Sequence, residues 1–170
     1  MALTYVLRKF VVWADGFGKL GEGENCKLPT MEINSEEFRG GGMDAPSKVD
    51  LGMNALTLEF KLSSMDPQVY NLWGLSPGQE KQFTIRGALA HQDGTPFAAI
   101  ASCVGNQMKV ESDAFEPAKK ILHTFTVELN YYKLVVGENL LYEIDVINAR
   151  RIVAGVDQLR QDRISLGLAI

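Results

Sequence analysis

The run I-L-H-T-F-T-V-E-L-N-Y-Y, residues 121–132, decides the fold class. Ile121, His123, Phe125, Val127, Leu129 and Tyr131 fall on one side, with Leu122, Thr124, Thr126, Glu128, Asn130 and Tyr132 on the other. Successive side chains of a strand point to opposite faces, so a period of two over this length predicts a long strand with one buried face. Leu56, Leu58, Phe60 and Leu62 against Thr57, Glu59, Lys61 and Ser63 repeat the pattern. Further strands are expected over residues 3–13, 27–33, 82–91, 96–108 and 140–147.

Turn residues join these runs. Asp93-Gly94 can supply the positive φ angles of a tight hairpin, and Gly137-Glu138-Asn139 does the same between strands ending near Val136 and starting near Leu140. Residues 112–117 form a longer loop. Successive antiparallel hairpins give a mainly β chain, an antiparallel β-sandwich or small barrel. One short helix is expected over about 66–74, with Asp66 as N-cap, Pro67 in the first turn and Gly74 as the stop. Its Val69, Leu72 and Trp73 fall at i, i+3 and i+4 and should dock on a sheet. A second short helix is expected between Asp157 and Gly167.

At 170 residues the chain fits one domain, residues 1–170, without repeats or a dividing linker. Its 17 Lys and Arg against 21 Asp and Glu leave a net charge of −4, and the pI is near 5.2. That balance argues against gripping nucleic acid through phosphates, which needs clustered cations. No apolar run approaches the ~20 residues of a membrane helix. The apolar N-terminus carries Arg8 and Lys9 and lacks a convincing cleavage site, so it reads as a strand rather than a signal peptide, in a protein folded in the cytoplasm. Cys26 and Cys103 stand alone, without metal-ligand spacing, and read as buried thiols.

Chemistry-bearing patterns are weak throughout. Gly16-Phe17-Gly18-Lys19-Leu20-Gly21 satisfies G-x-G-x-x-G, but a phosphate site needs a helix start directly afterwards. Glu22, Gly23, Glu24 and Asn25 follow instead, so a flexible loop between two strands is expected. His91 sits beside a turn, and His123 lies on an apolar strand face. No nucleophile elbow accompanies them. No catalytic, cofactor-binding or metal site is expected.

Two further segments carry a family resemblance: E-F-R-G-G-G-M-D-A-P-S-K-V-D-L-G-M, residues 37–53, and L-Y-E-I-D-V-I-N-A-R-R-I-V-A-G-V-D-Q-L, residues 141–159. With Leu28-Pro29 and Asn130-Tyr131-Tyr132-Lys133-Leu134, they resemble the major tail tube protein of contractile-tailed phages. The tube subunits of R-type pyocins look similar at the same places, and the likeness runs colinearly from about Phe10 to about Leu168. The type VI secretion tube is a more distant structural cousin. Departures are the paired Arg150-Arg151 and the extension by Ala169 and Ile170.

The resemblance implies a structural subunit, not an enzyme. It would form hexameric rings stacked around a lumen inside a contractile sheath. Implied partners are copies of itself, the sheath, the baseplate and the tape measure protein, with DNA only as non-specific cargo. The place implied is the tail of a virion or phage-like particle, assembled in a bacterial cytoplasm. Residues 38–53 would be a loop that orders against a neighbouring subunit. Its contact residues are Phe38, Arg39, Gly40, Gly41, Gly42, Met43, Asp44, Pro46, Val49, Leu51 and Met53. Thr57, Glu59, Lys61, Thr124, Thr126, Glu128 and Asn130 would line the lumen. A monomeric ligand-binding β-barrel is the alternative from composition and pattern alone. A β-rich enzyme using His91 and His123 is the weaker rival.

Overall fold

In the computed structural model, which describes residues 5–168, twelve strands and two short helices follow one another. They are β1 (Val6–Ala14), β2 (Phe17–Gly18), β3 (Gly23–Lys27), β4 (Ile33–Phe38), β5 (Ser47–Met53), β6 (Leu56–Leu62) and α1 (Pro67–Tyr70). Then come β7 (Lys81–Ala90), β8 (Pro96–Ser112), β9 (His123–Val136), β10 (Asn139–Asp145), β11 (Arg150–Val153), β12 (Val156–Asp157) and α2 (Arg160–Ser165). A 10-stranded antiparallel sheet has the order β12-β11-β10-β9-β8-β7-β1-β2, with β6 also on β9 and β3 beyond β6. β4 and β5 form a ribbon of their own.

β9 is where the sheet forks. One of its edges pairs with β8 from His123 to Val136. The other edge pairs first with β6, from His123 to Leu129, and then with β10, from Tyr131 to Val136. The sheet therefore leaves β9 in two directions and curls over a single core. Phe60 of β6 lies 5.9 Å from Phe83 of β7 and 5.2 Å from Phe125 of β9, ring centre to ring centre. Val12, Leu58, Leu62, Val69 and Val127 are buried with them. The alternation read in residues 56–63 and 123–129 is this core face. Past Leu129 the ladder slips at Asn130 and the sides exchange, so that Tyr132, expected on the polar side, is buried and Tyr131 is not.

Strands β8 and β9 cross unusually close at Gly105, where the register slips after Val104. A Cβ built at Gly105 would fall 2.0 Å from the Glu128 carbonyl oxygen. No side chain fits there, and the slip leaves Asn130 of β9 as an extra residue between Leu129 and Tyr131.

Several expectations need correction. Residues 27–33 are not a strand: β3 ends at Lys27 and β4 starts at Ile33. Pro29 between them has no N–H to give a ladder and is buried. α1 is one turn, not nine residues; Asp66 accepts from the Gln68 amide at 2.8 Å as expected, but Asn71 already ends the helix. Val69 and Leu72 dock on the core, whereas Trp73 is 56% exposed. Past Asn71 helical spacing no longer applies, and the Trp73 Nε1 donates to the Met108 carbonyl on β8 at 3.1 Å. β1 starts at Val6; Leu3 and Thr4 lie outside the described residues, as do Ala169 and Ile170. α2 forms where the second helix was expected.

Candidate functional site

Most of residues 37–53 is strand, not loop. β4 pairs with β5 from Phe38↔Ser47 to Ile33↔Met53, and only residues 39–46 form the tip. The signal was present, since Val49, Leu51 and Met53 alternate with Lys48, Asp50 and Gly52. The ribbon stands away from the main sheet, and β4 is exposed along its whole length. Ile33, Phe38, Val49 and Leu51 all face solvent, Phe38 at 62% exposure. The tip is ordered by its own atoms. Arg39 Nε donates to the Met43 carbonyl at 3.4 Å, its Nη2 donates to the Asp44 carbonyl at 3.3 Å, and the Gly40 amide meets Met43 Sδ at 3.2 Å. Gly42 takes a φ of +88°, which favours glycine. Gly41, Pro46 and Asp44 are exposed at the same end. Met53 differs from the rest: it packs against the chain's own core at the ribbon's neck.

The polar residues of β6 and β9 come together on the sheet face opposite the core. Thr57 sits across from Glu128, Glu59 from Thr126 and Lys61 from Thr124. β8 extends the same band, with Asn106 beside Glu128, Lys109 beside Thr126 and Glu111 beside Thr124. Asn130 lies just past the fork, and its amide meets Glu80.

The two segments of sequence singled out above meet in space. Between the ribbon's base and the β10–β11 turn lies a groove of about 800 Å³ lined by Leu51, Met53, Leu56, Leu129, Ile144 and Val146. Asp50 and Arg151, 101 positions apart, face each other across it at 3.2 Å. The Gly52 amide holds the Asp50 carboxyl below the usual carboxylate range, and Arg151 adds to the lowering. On the far side Arg163 of α2 is buried, donating to the Ala149 carbonyl at 3.0 Å and to Asp157 at 2.5 Å. These interactions fasten α2 to the β11–β12 hairpin.

Sequence reasoning missed Lys19. The glycine loop that holds it is not loose: Gly16 takes a φ of +87°, β2 folds back on β1, and Lys19 is buried. Its ammonium pairs with Asp66, the N-cap of α1, and donates to Gln68 Oε1 at 3.1 Å. Nothing in the local sequence marks a partner 47 positions away.

His123 is buried, with Nδ1 2.7 Å from Tyr70 Oη and 2.9 Å from Ser112 Oγ. His91 instead meets Phe97 edge to face and Tyr5 at a tilt, beside the β7–β8 turn. They sit at opposite ends of the 17-residue β8, roughly 50 Å of strand apart, so they share no site. Burial pushes the Cys26 and Cys103 thiols up to about 12, which keeps them protonated and unreactive at neutral pH.

Comparison with known proteins adds the following. The family model described as "Phage tail tube protein FII" matches residues 4–167. The tail tube protein of Escherichia phage P2 is 27% identical over 172 aligned residues, covering 99% of this chain and all (100%) of that protein. The major tail tube protein of Serratia phage KSP20 is 26% identical, covering 87% of this chain and 86% of its own length. Among solved structures, the sheath–tube complex of an extracellular contractile injection system (PVC, extended state) contains a chain with a TM-score of 0.56 at 13% identity. That match covers 78% of this chain and 90% of the other. The sheath/tube terminator of the same system gives 0.59 at 12% identity, over 79% and 96%. At such identity these two structures establish a shared fold.

Proposed function

The chain belongs to the phage tail tube protein FII family, and on that premise we propose that copies of it close into hexameric rings stacked through the β4–β5 ribbon. It is a structural tail tube subunit of a contractile tail or phage-like contractile particle. The observation that carries the proposal is the ribbon itself. Phe38, Val49 and Leu51 are exposed on an element with no internal partner sheet, and such surface is unusual on a monomer. A ribbon that docks on a different patch of the next copy gives a head-to-tail contact, which stays open-ended along a tube axis. Ring closure pairs free sheet edges between copies. Sheath, baseplate and tape measure protein are the further partners proposed. A sheath–tube complex and the anti-feeding prophage baseplate, the latter at a TM-score of 0.52, contain chains of this fold.

The rival carrier would need a hollow interior. Here Phe60, Phe83 and Phe125 are fully buried and pack together inside the curled sheet, and the groove of about 800 Å³ lies outside them, between the ribbon's base and the β10–β11 turn. Negative-stain microscopy of the purified chain across a concentration series tests the tube. Sixfold rings or hollow tubes are expected, and compact monomers that fail to assemble even on a cognate baseplate would sink the proposal. Phe38→Asp with Met43→Asp should leave the circular dichroism spectrum unchanged. Each apolar side chain withdrawn from the interface forfeits roughly 1.5–3 kcal/mol of burial, so the critical concentration should rise at least about tenfold.

The polar band of β6 and β9 is the proposed lumen wall. With Lys61 and Lys109 set among Glu59, Glu111, Glu128 and neutral threonines, the band carries no excess of positive charge and would let DNA pass, whereas a basic wall would hold its phosphates. Glu59→Lys with Glu128→Lys should slow genome delivery while tubes still assemble. Normal delivery by tubes carrying both changes would remove these residues from the lumen.

A further inference from the structure

The β4–β5 ribbon leaves the body through one bent joint. β5 turns at Gly52, whose φ is +106°, and the ladder slips there, with Ile33 opposite Met53 but Ser35 opposite Asp50. Asp50 spans the bend. Its Oδ1 accepts from the Gly52 amide at 2.7 Å, and its Oδ2 accepts from Arg151 Nη2 of β11 at 3.2 Å. Below the bend, the neck is closed by the Asn54 amide on the Glu32 carbonyl at 3.0 Å and by Asn54 Nδ2 on Glu32 Oε2 at 2.7 Å. Among the described residues, the Asp50–Arg151 pair is the outermost polar tie between ribbon and body.

We propose that Asp50 and Arg151 are positioning residues for assembly, their ion pair fixing the angle at which the ribbon leaves the body. This inference rests on reading the ribbon as a subunit contact. An isolated two-stranded ribbon is marginal on its own, and glycine at the joint permits many angles. Burial does not choose among them, because the ribbon beyond Asp50 buries almost nothing. A ribbon of this length reaches about 20 Å, so an error of roughly 15° at Gly52 would displace its tip by about 5 Å. That is as far as one strand is from the next. Subunits with a misdirected ribbon dock only after reorienting, and the apparent affinity falls by the fraction correctly posed.

The Asp50 side chain is 45% exposed and that of Arg151 16%, so solvent screens the pair from the Asp50 side. It adds little to global stability, and its effect on orientation separates from unfolding. Asp50→Asn keeps an oxygen for the Gly52 amide while removing the charge. Arg151→Met removes the cation, and Arg151→Lys retains it. Three readouts apply to the full chain: thermal unfolding, tryptic cleavage at Arg39 and Lys48 within the ribbon region, and the critical concentration for tubes. Asp50→Asn and Arg151→Met should each speed cleavage and raise the critical concentration about two- to fivefold, at an unchanged melting temperature. The double variant should go no further than either single one, and Arg151→Lys should stay near the parent. Additive effects, or parental cleavage in both single variants, overturn the proposal. If the parent chain forms no rings or tubes under any condition, the ribbon-contact reading falls, and the cleavage cycle still decides whether the pair sets the joint.

Discussion

Gly105→Ala is expected to give a chain that is largely unfolded or melts about 10 °C or more below the parent. The added methyl would sit 2.0 Å from the Glu128 carbonyl oxygen and 2.8 Å from its carbonyl carbon. Those atoms are backbone in the middle of β9, so no rotamer change clears them. Either β8 and β9 separate or the bulge after Val104 moves along the ladder, and a shift of one residue turns every later side chain to the wrong face. Cysteine, phenylalanine and leucine side chains on both strands would then leave the core together. Overpacking of this kind typically costs about 1–3 kcal/mol, and an immovable neighbour puts this site at or above the upper end. For a chain of this size each kcal/mol is worth about 2–4 °C. Gly41→Ala is the matched control: nothing lies within 4 Å of its Cβ, and its φ is not in the glycine region. A melting curve for Gly105→Ala within about 3 °C of the parent would show that the two strands can part without cost.

What the sequence reveals of this fold follows from what each element buries. β6 and the first half of β9, to Leu129, bury one face completely, so their period of two is clean and both are legible. The slip at Asn130 then exchanges the sides, which alternation alone does not foresee for Tyr131 and Tyr132. The β4–β5 ribbon buries almost nothing, and the alternation of Val49, Leu51 and Met53 is short, preceded by three glycines at the tip and unmatched by any apolar alternation in β4. With no core to enforce a pattern, it reads in sequence as a loop, although its apolar residues stand out as unusual. The lumen candidates are legible as a face, because alternation assigns sides; which side faces a channel depends on neighbours that a single chain does not contain. Long-range polar ties are invisible. Neither Lys19–Asp66 nor Asp50–Arg151 has a local signature, since a fold brings together charges that are unexceptional where they stand in the chain. In sequence, Arg151 is only an oddity beside Arg150 in a family-like stretch. Its partner on the ribbon gives that oddity a physical setting.

Asp66→Ala should destabilise the chain by about 3–5 kcal/mol. The side chain of Lys19 is 4% exposed and that of Asp66 16%, so the two ends of this pair are not equivalent. Removing Asp66 strands a buried ammonium with only Gln68 Oε1 for company, and it deletes the cap of α1 as well, a loss of about 1 kcal/mol by itself. Removing Lys19 is milder. In Lys19→Met the carboxylate keeps the Gln68 amide and reaches water, and the methionine fills the space of the lysine stem. Asp66→Asn retains a capping oxygen and isolates the charge, so it should fall between them. Combined with Lys19→Met it should recover most of the loss, because a buried pair replaced as a unit is close to neutral. Urea unfolding of the four variants measures this order, and four equal midpoints would mean that the pair contributes nothing. Acid provides an independent check. The Lys19 ammonium, and after it the Gln68 amide, hold the Asp66 carboxyl below the ordinary carboxylate range. Its folded value thus lies beneath the unfolded value of ~3.9, so its contribution is complete above that pH and drains away as pH falls through the folded value. The stability gap between parent and Asp66→Asn should therefore be constant from neutral pH down to about 5 and close below about 4. A gap that persists undiminished at still lower pH would assign the effect to packing rather than to charge.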